Sequence, residues 1–318
     1  MREQSEFIVP PAAVPAEPIR APSFSVIIPC YQAAATVAAA VESALAQSYS
    51  PREVIVCDDG STDQPGRALA PYLDRILLLR QENGGGASAL NRCVSVANGD
   101  FVAILDADDR YEPGRLQRLG ALGALRPDLD ILVTDAWLEE DGARRGRYSD
   151  VNPFVVDDQR AGILDTCFPG GWPAVRRQTL LDAGGFDESY AVAYDWECWA
   201  RLIHRGSRAG LVNEPLLSYR IHQSSLSANK LTSLGERLRL FAEAEGWQLT
   251  KAEQRVLRRS IARDRRRLSL EELAVTMAAG ASRATLVRLA ARRRLPVSGR
   301  LVALRGAIRG LRRRPTSR

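Results

Sequence analysis

The stretch "DFVAILDADD", residues 100–109, decides how the chain is read. An apolar run from Phe101 to Leu105 stops at Asp106, Asp108 and Asp109. A short continuous apolar run suits a strand buried on both faces. The charges that end it have two explanations. Aspartate is a favoured helix N-cap, so Asp106 or Asp109 could open the next helix. Alternatively, carboxylates crowded together repel one another unless a cation sits between them. Mg²⁺ or Mn²⁺ takes oxygen ligands and completes its shell with water and substrate phosphate, so one or two aspartates and a diphosphate suffice.

Upstream, the same design recurs. "FSVIIPCY" (24–31), "REVIVCDDGSTD" (52–63) and "RILLLRQENGGG" (75–86) are β-rich apolar runs that end in polar residues. Between them, "TVAAAVESALAQS" (36–48) and "ASALNRCVSVAN" (87–98) carry helical spacing, with Thr36 placed as a cap. Strand and helix alternate, which predicts an α/β protein with a largely parallel sheet. Such sheets bind ligands at the carboxyl ends of their strands. Here those ends bring together Asp58-Asp59, Gly84-Gly85-Gly86 and Asp106-Ala107-Asp108-Asp109. The glycines serve either a turn, since Asn83-Gly84 is a turn signal, or a close backbone approach to phosphate or sugar. Neither a dinucleotide-binding glycine motif nor a P-loop is present.

At this point the residues resemble a known family. "SVIIPCYQAAATVAAAVESALAQSYSPREVIVCDDGSTD" is similar to the opening of the family 2 glycosyltransferases. The similarity continues through "NGGGASALNRCVSVANGDFVAILDADD", where that family places its D-x-D motif, through "GGFDESYAVAYDWECWARL" (184–202) and through "YRIHQSSLS" (219–227). The resemblance implies a GT-A fold, a mixed, mostly parallel, Rossmann-like sheet flanked by helices. It further implies a donor nucleotide-diphosphate sugar, with a UDP-sugar favoured, and a divalent metal, Mn²⁺ or Mg²⁺. Pro29 and Tyr31 would line the nucleotide pocket. Asp58 or Asp59 would meet the base, with Asp59 favoured. Gly84, Gly85 and Asn91 would lie along the nucleotide-sugar. Asp106 would face the ribose or the metal, Asp108 would bind the metal, and His222 would reach the diphosphate or complete the metal shell, a structural role being its alternative. Asp195 matches the position of the catalytic base. The family usually shows Glu-Asp there and this chain has Tyr194-Asp195, so Glu197 stays open as the working carboxylate. Trp172 and Trp196 are either an acceptor-sugar platform or packing residues. His204 reads as structural.

The chemistry that the resemblance implies is an inverting transfer of the sugar to a hydroxyl of a saccharide or lipid-linked acceptor, in cell-surface polysaccharide synthesis. A glycoside hydrolase also uses paired carboxylates, but it would not explain Asp106 and Asp108 beside a nucleotide-like cleft. The rival class is a non-catalytic GT-A-like scaffold. The intact set of Asp106, Asp108 and Asp195 favours the enzyme.

Composition sets the frame. The chain has 318 residues, 45% apolar and 26% charged, ordinary for a globular protein. No stretch approaches the ~18 apolar residues of a membrane span, and no signal-peptide core is present. Five scattered cysteines argue against a disulfide framework or zinc site and for buried thiols in a cytoplasmic protein. Residues 231–318 hold 22 Lys/Arg against 7 Asp/Glu, a net of +15 in a chain whose total is +6, so residues 1–230 carry about −9. The organisation expected is a flexible Pro-rich arm (1–22), a catalytic domain (23–230) and an Arg-rich helical extension (231–318). Residues 281–318 set apolar residues beside Arg292–Arg294 and Arg312–Arg314. That pattern suits contact with an anionic membrane surface, peripheral on the inner face of the plasma membrane, or a solvated helical bundle. Nucleic acid is not expected, because aromatic side chains for base stacking are nearly lacking there.

Overall fold

The computed structural model describes residues 6–10, 20–222, 225 and 228–278. Two compact units divide between Ser225 and Leu226.

The first unit is a mixed α/β protein built on one large sheet. Its elements run β1 (Phe7–Ile8), β2 (Phe24–Cys30), α1 (Val37–Leu45), β3 (Glu53–Asp59), α2 (Pro65–Ala68), β4 (Leu77–Gln81), α3 (Gly86–Val96), β5 (Phe101–Ile104), β6 (Arg110–Tyr111) and α4 (Arg115–Leu125). They continue with β7 (Ile131–Glu140), β8 (Ala143–Arg147), α5 (Tyr148–Val151), α6 (Gln159–Ile163), β9 (Ala174–Arg176), α7 (Arg177–Asp182), α8 (Tyr194–His204) and β10 (Ala209–Ile221). The sheet order is β1-β10-β7-β9-β5-β2-β3-β4, with β6 on β10 and β8 on β7.

The strands β5, β2, β3 and β4 are parallel neighbours. Their apolar runs are continuous because both faces are covered. Val26, Ile28, Val54 and Val56 share a core with Val37, Ala40 and Val41 of α1. The alternate residues Ile27 and Ile55 point to the other face, where α3 packs on β2 and β3. Three parallel strands therefore end on one edge, and their last residues deliver Tyr31, Asp58-Asp59 and Asp106 to it.

Three features depart from the sequence expectation. First, β9 is a three-residue strand that pairs antiparallel with both β5 and β7. It was not foreseen as a strand, being too short to show a period, and it adds to the mixed pairing expected of the sheet. Second, the arm is not wholly free, since Phe7 and Ile8 pair with Val212 and Leu211 of β10. Third, Thr36 offers no side-chain cap to α1, and its hydroxyl instead donates to the carbonyl of Ala33 at 3.3 Å.

The second unit contains α9 (Lys230–Ala244) and α10 (Lys251–Ala278), the two helices expected from the pattern of the basic region. Asn229 caps α9, accepting from the Thr232 N–H at 3.2 Å. Thr250 and Glu253 form a reciprocal capping box at the start of α10, at 2.7 and 3.2 Å. Asp264 is fully buried and held by Arg237 at 2.6 Å and Arg263 at 3.1 Å. The Arg-rich stretch 281–318, where membrane contact was expected, lies outside the described residues. Among the described residues no helix is long and apolar enough to cross a membrane.

Candidate active site

The site is assembled from loops at the carboxyl edge of the sheet. The loop after β2 is clamped to the loop after β3. The Gln32 side-chain oxygen accepts from the Thr62 N–H at 2.8 Å, and Asp63 accepts from the Ala34 N–H at 2.8 Å. Pro29 is the penultimate residue of β2 and pairs in register with Cys57. Tyr31, just beyond β2, is 53% exposed and free to cover a ligand.

Asp58 and Asp59 are both buried but differ in occupation. Asp59 accepts the N–H groups of Gly84 and Gly85 at 2.9 and 2.8 Å and the Gln81 amide at 2.8 Å. Its carboxylate is filled by the glycine loop, which it fixes. Gly85 has φ +90°, a conformation that glycine adopts readily. Asp58 accepts one N–H, from Ser61 at 2.9 Å, on one oxygen. Its other oxygen lies 3.6 Å from Nε of the exposed Arg80. It faces a cleft of about 280 Å³ lined also by Gln64, Gly66, Arg67 and Leu78. Of the two aspartates, it is Asp58 that opens on free space.

Beyond β5 the carboxylates converge. Burial, and then the charges of Asp108 and Asp195, push the Asp106 carboxyl up to about 7. Asp195 belongs to a distant segment, so this mutual influence shows that the β5 end and the start of α8 meet. Asp108 is 2.7 Å from Nε2 of His222. His222 follows β10, which runs parallel to β7 and carries it back to this edge. Asp109 accepts the Arg220 N–H at 2.8 Å on one oxygen and leaves the other buried without a partner. Burial, with Asp106 and Asp108 beside it, holds its carboxyl well above the usual range.

Asp195 sits in the first turn of α8, where one of its oxygens accepts the Trp196 N–H at 2.6 Å. A Cβ on Gly171 would stand 3.3 Å from its other oxygen, so this backbone hugs the carboxylate. Glu197, by contrast, is buried in a bidentate ion pair with Arg201 at 2.7 and 2.9 Å. Arg201 in turn donates to the carbonyls of Ala183 and Gly185, so Glu197 anchors the turn after α7. That turn is the expected glycine pair, Gly184 and Gly185, both at positive φ.

Three of the residues singled out in the sequence are engaged by the protein itself. Asn91 exchanges hydrogen bonds with the backbone of Phe186 at 2.8 and 2.9 Å and donates to Glu188 at 2.9 Å. It therefore ties α3 to the segment before α8, with its amide hydrogens taken by the protein. Trp172 and Trp196 are 3% and 7% exposed, too sealed for a stacking platform. Trp196 donates to the carbonyl of Ile163 at 2.7 Å, and Trp172 packs between Tyr148 and Tyr219.

Other contributors were not legible. Arg115, the first residue of α4, is fully buried, donates to the carbonyl of Trp172 at 2.6 Å and stacks 4.6 Å over Tyr111. Tyr194 presses its hydroxyl on Gly86, the first residue of α3, where a Cβ would come within 2.8 Å of it. The third glycine of "NGGG", one more than a turn requires, was the available signal.

The comparisons agree with this geometry. The glycosyl transferase family 2 profile matches residues 25–182. This chain belongs to that family. It is 43% identical to the EpsE glycosyltransferase of Bacillus subtilis over 64% of this chain and 74% of that one. It is 28% identical, over 66% and 81%, to the Escherichia coli UDP-Glc:α-D-GlcNAc-diphosphoundecaprenol β-1,3-glucosyltransferase WfgD. Among solved structures, the mannosyltransferase PcManGT of Pyrobaculum calidifontis, in complex with GDP-Man and Mn²⁺, has a TM-score of 0.63 at 23% identity over 93% of this chain and 87% of that one. Full-length TarS of Staphylococcus aureus has a TM-score of 0.59 at 21% identity, covering 75% of this chain and only 43% of that longer protein. These likenesses show the GT-A fold, and the family makes the chain a glycosyltransferase.

Proposed function

We propose that the chain transfers a sugar from a UDP-sugar to a hydroxyl of a saccharide or lipid-linked acceptor in cell-surface polysaccharide synthesis, with inversion and with the help of a divalent ion. The observation that carries this reading is the convergence of Asp106, Asp108 and Asp195 beside His222. Carboxylates gathered this closely raise one another's proton affinity, and a cation relieves that repulsion. The donor set fits Mn²⁺ or Mg²⁺: Asp108 and His222 would hold the ion, Asp106 would face it, and the diphosphate and water would fill the rest. Such an ion would take the rest of its ligands from the substrate, as Mg²⁺ and Mn²⁺ commonly do. When bound there, the ion would act as a Lewis acid on the departing diphosphate.

The remaining steps belong to the protein. Asp59 holds the Gly84–Gly85 loop in place to receive the donor. Asp58 supports a pyrimidine: the oxygen that no protein N–H fills, approached only by the exposed Arg80, suits the lone imino N–H of uracil, whereas guanine presents two donors to a carboxylate and cytosine lacks the imino proton. Asp195 removes the proton of the acceptor hydroxyl as it attacks the anomeric carbon. Glu197 is unsuited to that task because both of its oxygens are held by Arg201. The WfgD relative, named for a diphosphoundecaprenol-linked acceptor, supports a lipid-linked acceptor here. Such an acceptor would bring this protein to the inner face of the plasma membrane, with the domain of residues 23–230 doing the chemistry.

The test is thermal stability with Mn²⁺ and each of UDP, GDP, dTDP and CDP, in the wild type and in Asp108→Ala. At about a hundredfold its dissociation constant, UDP should add roughly 2.7 kcal/mol, a shift of several degrees that requires the metal and vanishes in the variant. Stabilisation by GDP alone would overturn the pyrimidine assignment. No response to any nucleotide would favour a non-catalytic scaffold.

A further inference from the structure

Tyr194 stands where the family usually shows a glutamate, immediately before Asp195. It opens α8, with its ring edge-on to Phe186 at a centroid distance of 6.1 Å. Its hydroxyl lies against Gly86, where the loop fixed by Asp59 becomes α3, so close that a Cβ would meet it at 2.8 Å. Asp106, Asp108 and Asp195 all lie near enough to oppose ionisation of the phenol, and burial opposes it further, so the group is a neutral O–H. The residue is only half-buried, and among the described residues the hydroxyl has no hydrogen-bond partner and is not sealed from the site. A phenol both donates and accepts, whereas a glutamate in its place would add a further negative charge and only accept.

This position has a consequence that rests on the donor reading above. The anomeric carbon must lie between the diphosphate, near Asp108 and His222, and the acceptor hydroxyl, near Asp195. The ring of the transferred sugar is then bounded by the residue beside Asp195 and by the start of α3. Tyr194 bridges those two places. We infer that the Tyr194 hydroxyl hydrogen-bonds a hydroxyl or acetamido oxygen of the transferred sugar. Gly86 is the matching requirement, since any larger residue there would displace the phenol.

The experiment measures equilibrium binding of UDP, UDP-glucose, UDP-galactose and UDP-N-acetylglucosamine to the full chain in Mn²⁺, for the wild type, Tyr194→Phe and Gly86→Ala. Tyr194→Phe keeps the ring and its packing and removes only the oxygen. For the sugar that the wild type prefers, the affinity relative to UDP should fall about three- to tenfold in Tyr194→Phe, the loss expected of one hydrogen bond, with UDP binding unchanged. Gly86→Ala should reproduce that loss by pushing the hydroxyl aside. An unchanged ratio in Tyr194→Phe overturns the inference, and so does an equal loss of UDP and UDP-sugar binding, which would mark a packing role. If wild-type protein binds none of the four ligands, the donor reading itself fails, a result distinct from UDP binding without sugar discrimination.

Discussion

Two strands of this sheet end in paired aspartates, and the two ends do opposite things. At the end of β3, Asp59 receives three N–H donors and is satisfied by the protein alone. At the end of β5, Asp106 and Asp108 lie among other carboxylates, and Asp106 is pushed up to about 7. A buried carboxylate that collects N–H groups is a brace, because its charge stabilises the loop that supplies them. One that collects other carboxylates is a site, because only something from outside can relieve it. The residue type and the strand-end position are the same in both. The partners differ.

The sharpest way to break this contrast is at α8, where a brace and a carboxylate of the site stand two residues apart. Asp195→Asn should lower kcat by about 10²–10⁴-fold, the usual worth of a general base, while metal-dependent UDP binding is retained. Glu197→Gln should lower the melting temperature by weakening the Arg201 pair and the Gly184–Gly185 turn, with kcat reduced far less. Transfer rates and melting curves on both variants check this, and the reverse pattern would make Glu197 the base.

The brace at β3 comes next. Asp59→Ala strands the N–H groups of Gly84 and Gly85 and should cost about 1–3 kcal/mol, read as a lower denaturation midpoint. Nucleotide affinity should fall with it, since the loop loses its anchor. Asp58→Ala should reduce nucleotide affinity with little loss of stability, because Asp58 accepts one protein N–H and its Arg80 partner is largely exposed.

The contrast explains what could be read from the amino acids. The parallel strands were legible, since strands covered on both faces need continuous apolar runs, and their ends put the aspartates on one edge. Which aspartate is brace and which is site was not, because Asp59 is defined by Gly84 and Gly85, twenty-five residues away, and Asp106 by Asp195, eighty-nine residues away. The tie that Asn91 makes was hidden for the same reason, as its partners lie at 186 and 188. Trp172 and Trp196 carry nothing in their local sequence that separates a platform from a core. The short antiparallel β9 and the bulged β10, with Pro215 inside it, were hidden because neither shows a clean alternation.

The smallest effect sharpens the contrast most, because it measures the unrelieved charge directly. The Asp106 carboxyl rises from 3.8 to about 7 on folding, so the folded protein holds this proton more tightly than the unfolded chain does. Its stabilising contribution is present below about pH 4 and is lost as pH climbs through 7. Metal-free wild type should therefore lose stability relative to Asp106→Asn across that window, and the gap should level off above it. The gap should reach about 1–2 kcal/mol, roughly one pKa unit's worth once water on the open side of the site screens the neighbouring charges. Asp106 is one of the charges that raise Asp109, so Asp109 releases its proton more readily in the variant and widens the gap in the same direction. Mn²⁺ should stabilise the wild type more at pH 8 than at pH 5, where protons compete for the same oxygens. Melting curves at several pH values, with and without Mn²⁺, decide the matter: parallel pH profiles for wild type and Asp106→Asn would mean that Asp106 finds protein partners as Asp59 does, and the distinction between brace and site would fall.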